Sequence, residues 1–145
     1  MTDSDATNHP RFNPSLIGHS DVEQKFLSTW ESARLPHGWL LTGHRGIGKA
    51  TLAFRIARFV LSNGGEQAAA PRLFGEAVVP SLELDAANPI FRRISSGGHA
   101  DLMTRERTIQ TNTNKLRTTI SVADVRRAGY FLRLTTSEFG LRVLI

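Results

Sequence analysis

The residues best equipped for chemistry lie in one stretch, Gly43-His44-Arg45-Gly46-Ile47-Gly48-Lys49-Ala50-Thr51. Closely spaced glycines let a loop turn several backbone N–H groups toward one anion, because glycine adopts left-handed conformations at little cost. A lysine directly after the last glycine brings a positive charge to the terminal phosphates of a nucleotide such as ATP or ADP. The pattern is G-x-x-x-x-G-K, a phosphate-binding loop, up to its final position. A Ser or Thr there normally ligates Mg²⁺ through its hydroxyl. This chain has Ala50, and a methyl group cannot ligate a metal. Thr51 comes one residue late, turned by about 100° around a helix. Gly43, Gly46, Gly48, Lys49, Ala50 and Thr51 therefore form the candidate cofactor-binding set. The expectation is weak ATP or ADP binding, no directly held Mg²⁺ and no catalytic residue.

A loop of this kind needs a strand before it and a helix after it. Gly38 to Thr42 is a short apolar run that reads as a strand buried on both faces. Lys49 to about Ser62 reads as a helix, with Leu52, Ala53, Ile56, Ala57, Phe59 and Val60 on one broad face, stopped by Asn63-Gly64-Gly65. Upstream, residues 1–14 read as a flexible tail. Ser20-Asp21-Val22-Glu23 is a capping-box sequence that opens a helix. Val22, Phe26, Leu27, Trp30 and Ala33 give that helix an apolar stripe, and Arg34 to Gly38 ends it.

Downstream, 63–98 reads as an irregular insertion broken by Pro71, Pro80 and Pro89, with a helical turn or two near Pro89 to Ile94. His99 to Thr104 reads as a second strand. Thr108 to Ile120 reads as a small hairpin turning at Asn112-Thr113-Asn114. Ser121 caps a further helix that runs to about Leu134 and turns Val122, Val125 and Leu132 toward the core. Leu141 to Ile145 reads as a third strand. Strands alternating with helices imply right-handed crossovers and a parallel sheet, an α/β fold. Three strands leave such a sheet unfinished, so the expectation is a domain spanning 15–145 and incomplete at its C-terminus.

At 145 residues the length is that of one domain, and 40% apolar residues suffice for a core. The formal charge of +5 is uneven. Between Arg92 and Arg133 nine Lys/Arg face only Asp101, Glu106 and Asp124, and the rest of the chain is slightly acidic. Such an excess suits a polyanionic or acidic partner, or is simply a solvated face. Arg126, Arg127 and Arg133 are the candidate nucleic-acid or partner contacts. Arg126 and Arg133 share a helix face, and Arg127 is turned about 100° away. The chain has no cysteine, which excludes disulfides and thiolate zinc sites, and its five histidines form no H-x-x-x-H pair. No metal site is expected. The N-terminus is polar and acidic, unlike a signal peptide, and no apolar run approaches the ~20 residues of a membrane span. A cytoplasmic location is expected.

Several motifs in order resemble one family. They are Leu16-Ile17-Gly18-His19, Pro36-His37-Gly38-Trp39-Leu40-Leu41-Thr42-Gly43, Gly46 to Ala53, Gly98-His99-Ala100-Asp101-Leu102 and Ile120 to Arg126. Together, over about Pro10 to Ile145, they resemble the delta-prime subunits of bacterial DNA polymerase III clamp loaders. The resemblance implies an AAA+ P-loop NTPase domain, a three-layer α/β/α fold with a parallel sheet. It implies a hetero-pentameric ring of clamp-loader subunits that opens the sliding clamp and places it on primed DNA in replication. Within that DNA polymerase (nucleotidyltransferase) holoenzyme the delta-prime subunit is a stator with weak or absent ATPase activity. The acidic strand end and the trans-acting arginine of the family fall after Ile145, so no residue here inherits those roles. Two departures stand out: Ala100 replaces the usual proline of His-Pro-Asp, and the four-cysteine zinc module of many members is missing. Lys49-Ala50-Thr51 agrees with a stator and disagrees with the motor subunits, which keep a hydroxyl after the lysine. An active AAA+ ATPase motor is the alternative reading. A P-loop kinase acting on a small molecule, with Arg92 and Arg93 as its lid, is a third.

Overall fold

The structure of the chain, a computed structural model, describes residues 9–64, 81–109, 115–138 and 140–145. Four helices and one pair of short strands make up an α/β arrangement: α1 (Ser20–Glu31), α2 (Lys49–Asn63), α3 (Pro89–Ser95), β1 (Leu102–Met103), α4 (Val122–Arg133) and β2 (Val143–Leu144). The strands are parallel, with Leu102 opposite Val143 and Met103 opposite Leu144. Bonds from Val143 N–H to Asp101 O, Ile145 N–H to Met103 O and Arg105 N–H to Ile145 O extend the ladder at both ends. The expected second and third strands are thus paired in parallel, though shorter than their apolar runs.

Helix α2 is the centre of the molecule. On one side Phe59, Val60 and Leu52 pack with Phe26 and Trp30 of α1 and with Leu82. On another, Phe54 and Leu61 pack with Ile90 and Ile94 of α3 and with Leu102 and Ile145 beside the strands. The aromatic side is ordered edge to face, with ring centroids of Trp30 and Phe59 5.3 Å apart. The sequence pattern suggested one broad apolar face for this helix. Instead it is buried nearly all round, and its Arg55 and Arg58 are buried with it.

Buried guanidinium groups need acceptors. Arg55 Nε donates to Glu23 Oε1 at 2.8 Å, and its Nη1 donates to the Pro14 carbonyl. Arg58 donates to the carbonyls of Asn13, at 2.8 Å, and Arg11, and lies over the Phe91 ring with its guanidinium carbon 4.1 Å from the centroid. Burial, then the neighbouring Arg55 charge, lowers the Arg58 pKa to about 10. These bonds correct two expectations. Residues 9–14 are not a loose tail. A 3-10 turn at Pro10–Phe12 and the strand-like residues after it are strapped to α2 by the two arginines. Residues 1–8 lie outside the described residues. Likewise the capping box is not made: α1 starts at Ser20, but His19 precedes it without a side-chain cap and Glu23 is engaged by Arg55.

The region expected as an irregular insertion contributes to the core in its second half. Asn88 caps α3 by accepting from Ile90 N–H at 2.8 Å, with Pro89 at the first helical position. Ile90, Phe91 and Ile94 are buried, as is Leu82. The hairpin expected over 108–120 is represented by one antiparallel bridge between Ile109 and Leu116, and its turn residues lie outside the described residues. Ser121 caps α4 as expected, accepting from Asp124 N–H at 3.2 Å.

Two further expectations are overturned. Gly38 to Thr42 forms no strand and makes no strand pairing among the described residues, and Leu40 is 89% exposed. A strand buried on both faces needs a neighbour on each edge. Among the described residues β2 pairs with β1 alone, and a cleft of about 770 Å³ separates its other side from the Gly38 to Leu41 segment. Ala53, Ile56 and Val60 of α2 line the cleft together with Trp39, Leu41, Leu141 and Val143. The second correction concerns α4. Val122, Val125 and Leu132 are 68, 60 and 51% exposed, so none is buried in the core. The helix is held through Phe131, its one buried residue, against which the Arg142 guanidinium sits 4.8 Å from the ring centroid. That contact uses one narrow arc and leaves the valines open.

One carboxylate ties the strands to the loop after α4. Asp101, 1% exposed, accepts from the N–H and hydroxyl of Ser137, both at 3.0 Å, and from Glu138 N–H. Arg142 lies 3.3 Å from its other oxygen. Burial pushes the Asp101 carboxyl up, but the Ser137 and Glu138 bonds and the Arg142 charge outweigh it, and the net shift is downward. Next to it, buried His99 accepts through Nδ1 from Asp101 N–H at 3.2 Å, so Nδ1 carries no proton. Burial, then the Arg93 charge, holds His99 below its usual range against the opposing Glu138 and Asp101 carboxylates.

These groups generate two predictions. Replacing Arg58 by Ala leaves the Arg11 and Asn13 carbonyls without their donor and opens a void beside Phe91. Urea unfolding should show a loss of about 2–4 kcal/mol. A loss under about 0.5 kcal/mol, the size of an ordinary surface change, would show that the strap is dispensable. The second concerns pH. A histidine with a lowered folded pKa binds its proton first in the unfolded chain. Its contribution is complete above the unfolded value of about 6.5 and declines as pH falls below it. Stability should drop as pH falls below about 6.5, and His99→Gln should flatten that slope. Asp101 adds a further loss below its ordinary value near 3.8, absent in Asp101→Asn. An unchanged slope in His99→Gln contradicts the assignment.

Candidate functional site

The loop between the Gly38 to Thr42 segment and α2 has the backbone the sequence demands. Gly43, Gly46 and Gly48 have φ of +138, +88 and +94°, conformations that L side chains rarely adopt. Gly48 is also constrained by packing: a Cβ there would sit 2.6 Å from Leu16 Cδ1. Among the described residues no acceptor is found for the backbone N–H groups of His44 to Thr51. They are unbonded donors leading into and opening a 15-residue helix, where the helix dipole adds partial positive charge.

Lys49 folds back over this loop. Its ammonium donates to the Gly43 carbonyl at 2.8 Å and the His44 carbonyl at 2.5 Å. No carboxylate pairs with it among the described residues. The lysine thus holds the loop closed through its carbonyls while the amides stay available. An anionic group seated on those amides would compete with the two carbonyls for the same ammonium. The residues present therefore fit a phosphate: glycine backbone, free N–H groups and one cation.

The next two positions divide as the helix rotation implies. Ala50 is exposed and lines the cleft beside Lys49. Thr51 is buried, its side chain turned into the protein. Neither gives a hydroxyl to a metal at the loop. Among the described residues no group of three or more His, Asp or Glu side chains is placed to hold a metal ion.

Residues outside the motif brace the loop, and motif reading did not find them. His19 Nε2 lies 2.5 Å from the Ile47 carbonyl. A carbonyl only accepts, so His19 carries its proton on Nε2 and donates. Leu16 lies against Gly48. Both precede the loop by some 30 residues in a segment with no spacing signal of its own. Only the family resemblance drew attention to Leu16-Ile17-Gly18-His19.

The three candidate arginines lie apart from the loop. Arg126, Arg127 and Arg133 are all exposed on α4. The helix borders the site only at Leu132, which lines the same cleft as Lys49 and Ala50. No helix among the described residues is long and apolar enough to cross a membrane. No family model, curated protein or solved structure matches the chain.

Proposed function

We propose that this chain is a P-loop domain of the AAA+ type, acting as a delta-prime-like stator of a bacterial clamp loader. The observation that carries the reading is the loop-to-helix unit itself. Three left-handed glycines present free amides at a helix N-terminus, and Lys49 lies over them while Ala50 puts a methyl where a metal-binding hydroxyl belongs. Such a loop can hold phosphate oxygens through N–H groups and Lys49. It lacks a direct Mg²⁺ ligand, and metal-bridged phosphates are central to phosphoryl transfer. Binding without turnover is the chemistry that follows, and it suits a stator. The order of motifs from Leu16 to Arg126 and the parallel pairing of Leu102 with Val143 support the same assignment. On this reading the chain works in the cytoplasm with other clamp-loader subunits and reaches the sliding clamp and primed DNA through the complex.

The two rivals require features that are not in place. A motor subunit needs the missing hydroxyl. A small-molecule kinase needs lid arginines aimed at the phosphates, and Arg93 is instead engaged by both oxygens of Glu138, with Nη2 at 3.1 Å from one.

Calorimetric titration with ATP and ADP should show weak binding that is lost in Lys49→Ala. Phosphate release should not exceed background with or without Mg²⁺. Ala50→Thr should tighten Mg-nucleotide binding about fivefold, about 1 kcal/mol. Mg²⁺-dependent phosphate release abolished by Lys49→Ala would overturn the stator reading and favour a motor. Mixing with the remaining clamp-loader subunits should give a co-migrating complex on gel filtration. Nucleotide binding without such a complex would leave the loop assigned and the clamp-loader role refuted.

A further inference from the structure

The outward face of α4 carries an exposed apolar strip, of which Leu132 also borders the cleft beside Lys49. Helical geometry puts Val122, Val125, Gly129 and Leu132 within one arc of about 80°, opposite Phe131. The stripe is about 15 Å long at 1.5 Å per residue. Arg126 and Arg133 lie along its edge next to Val122, and Tyr130 lies beyond them; all three are exposed. Gly129 has nothing within 4 Å of where a Cβ would be, so the middle of the stripe is open to close approach. The only carboxylate on the helix, Asp124, is engaged by the Ser121 cap. The face is therefore an apolar strip with a cationic edge and no acid contributed by its own helix.

We propose that this face docks a partner polypeptide whose surface is apolar at the centre and acidic along one flank. The proposal does not depend on the clamp-loader reading. Two arguments favour protein over nucleic acid. Phosphate backbones are met by cations and polar groups, and a strip of two valines and a leucine would be dehydrated against an anion without gain. Protein interfaces instead place apolar residues centrally, with Arg and Tyr enriched and charges at the rim, and that is the arrangement of these side chains. Charge complementarity then fixes the partner's flank as acidic, because the strip's one charged edge carries Arg126 and Arg133.

The test uses the full chain and a defined probe. The probe is a fluorescent helical peptide of about 18 residues with leucine at i, i+3, i+7 and i+10 and glutamate along one adjacent row. The expected result is saturable binding by anisotropy, with hydrogen-exchange protection confined to Val122–Arg133. Val125→Asp should weaken it by at least about tenfold. Arg126→Ala with Arg133→Ala should weaken it about three- to tenfold and flatten its salt dependence. Both sites are exposed, so an unchanged thermal melt separates lost docking from lost folding, and Val122→Ser serves as a second variant on the strip. Several results overturn the proposal. One is absence of binding up to ~1 mM peptide. Another is equal binding of a peptide with its leucines changed to serine. A third is a duplex of about 20 base pairs binding more tightly than the peptide, sensitive to the arginine changes and indifferent to Val125→Asp. The last is concentration-dependent self-association abolished by Val125→Asp, which assigns the face to a second copy of the chain.

Discussion

Burial of α2 on nearly every side is the constraint on which the rest of the structure depends. A helix in that position cannot send its charged residues to water, so Arg55 and Arg58 must find acceptors inside. They find them in Glu23 of α1 and in the carbonyls of Arg11, Asn13 and Pro14. The consequence is that a short polar arm becomes structural. The same helix begins at Lys49, so whatever fixes its axis also fixes the loop. Leu16 and His19, which follow the strapped arm, then meet Gly48 and the Ile47 carbonyl from outside. Core packing and loop geometry are in this way one problem: the arm that satisfies the arginines delivers the residues that brace the glycines.

The second constraint is strand pairing. Among the described residues β1 and β2 are the one pair of strands, and their register puts Val143 beside both hydrophobic clusters. Across the cleft, Gly38, Trp39 and Leu41 line the other wall. Trp39 stays attached through the Phe26 ring, with centroids 5.5 Å apart. The segment that leads into the loop is thus positioned by the Trp39 ring contact, by Leu41 packed against the core and by the loop at its end. The loop keeps its shape because its own glycine conformations, Lys49 and His19 close it locally.

A third link runs through Asp101. It gathers the two strands, the loop after α4 and Arg142 around one buried charge that is fully hydrogen-bonded. Arg142 then carries the connection onward to Phe131 and so to α4. The helix with the exposed arginines is anchored by a chain of polar and cation–π contacts in place of an apolar face. This explains how an amphipathic pattern can be real in the sequence and still point outward.

The sequence by itself determined the local features. Glycines at 43, 46 and 48 needed left-handed backbone, Ser121 and Asn88 capped their helices, and the apolar runs at 102 and 143 became the paired strands. The glycine conformations and the caps depend on residues a few positions apart, where local sterics and hydrogen bonding decide, whereas the pairing of the two strands joins segments 41 residues apart. Lys49, Ala50 and Thr51 also fell where helix rotation put them. Tertiary structure alone decided which apolar stripes were covered. Nothing in the periodicity of Val122, Val125 and Leu132 distinguishes a face turned to the core from one turned to solvent, because hydrophobicity states a preference for burial and names no neighbour. The same holds for Arg55 and Arg58, whose burial depends on carbonyls more than 40 residues away, and for Gly38 to Thr42, whose apolar run found no strand to pair with. Those outcomes rest on contacts between segments distant in the chain, and no single segment's composition encodes them.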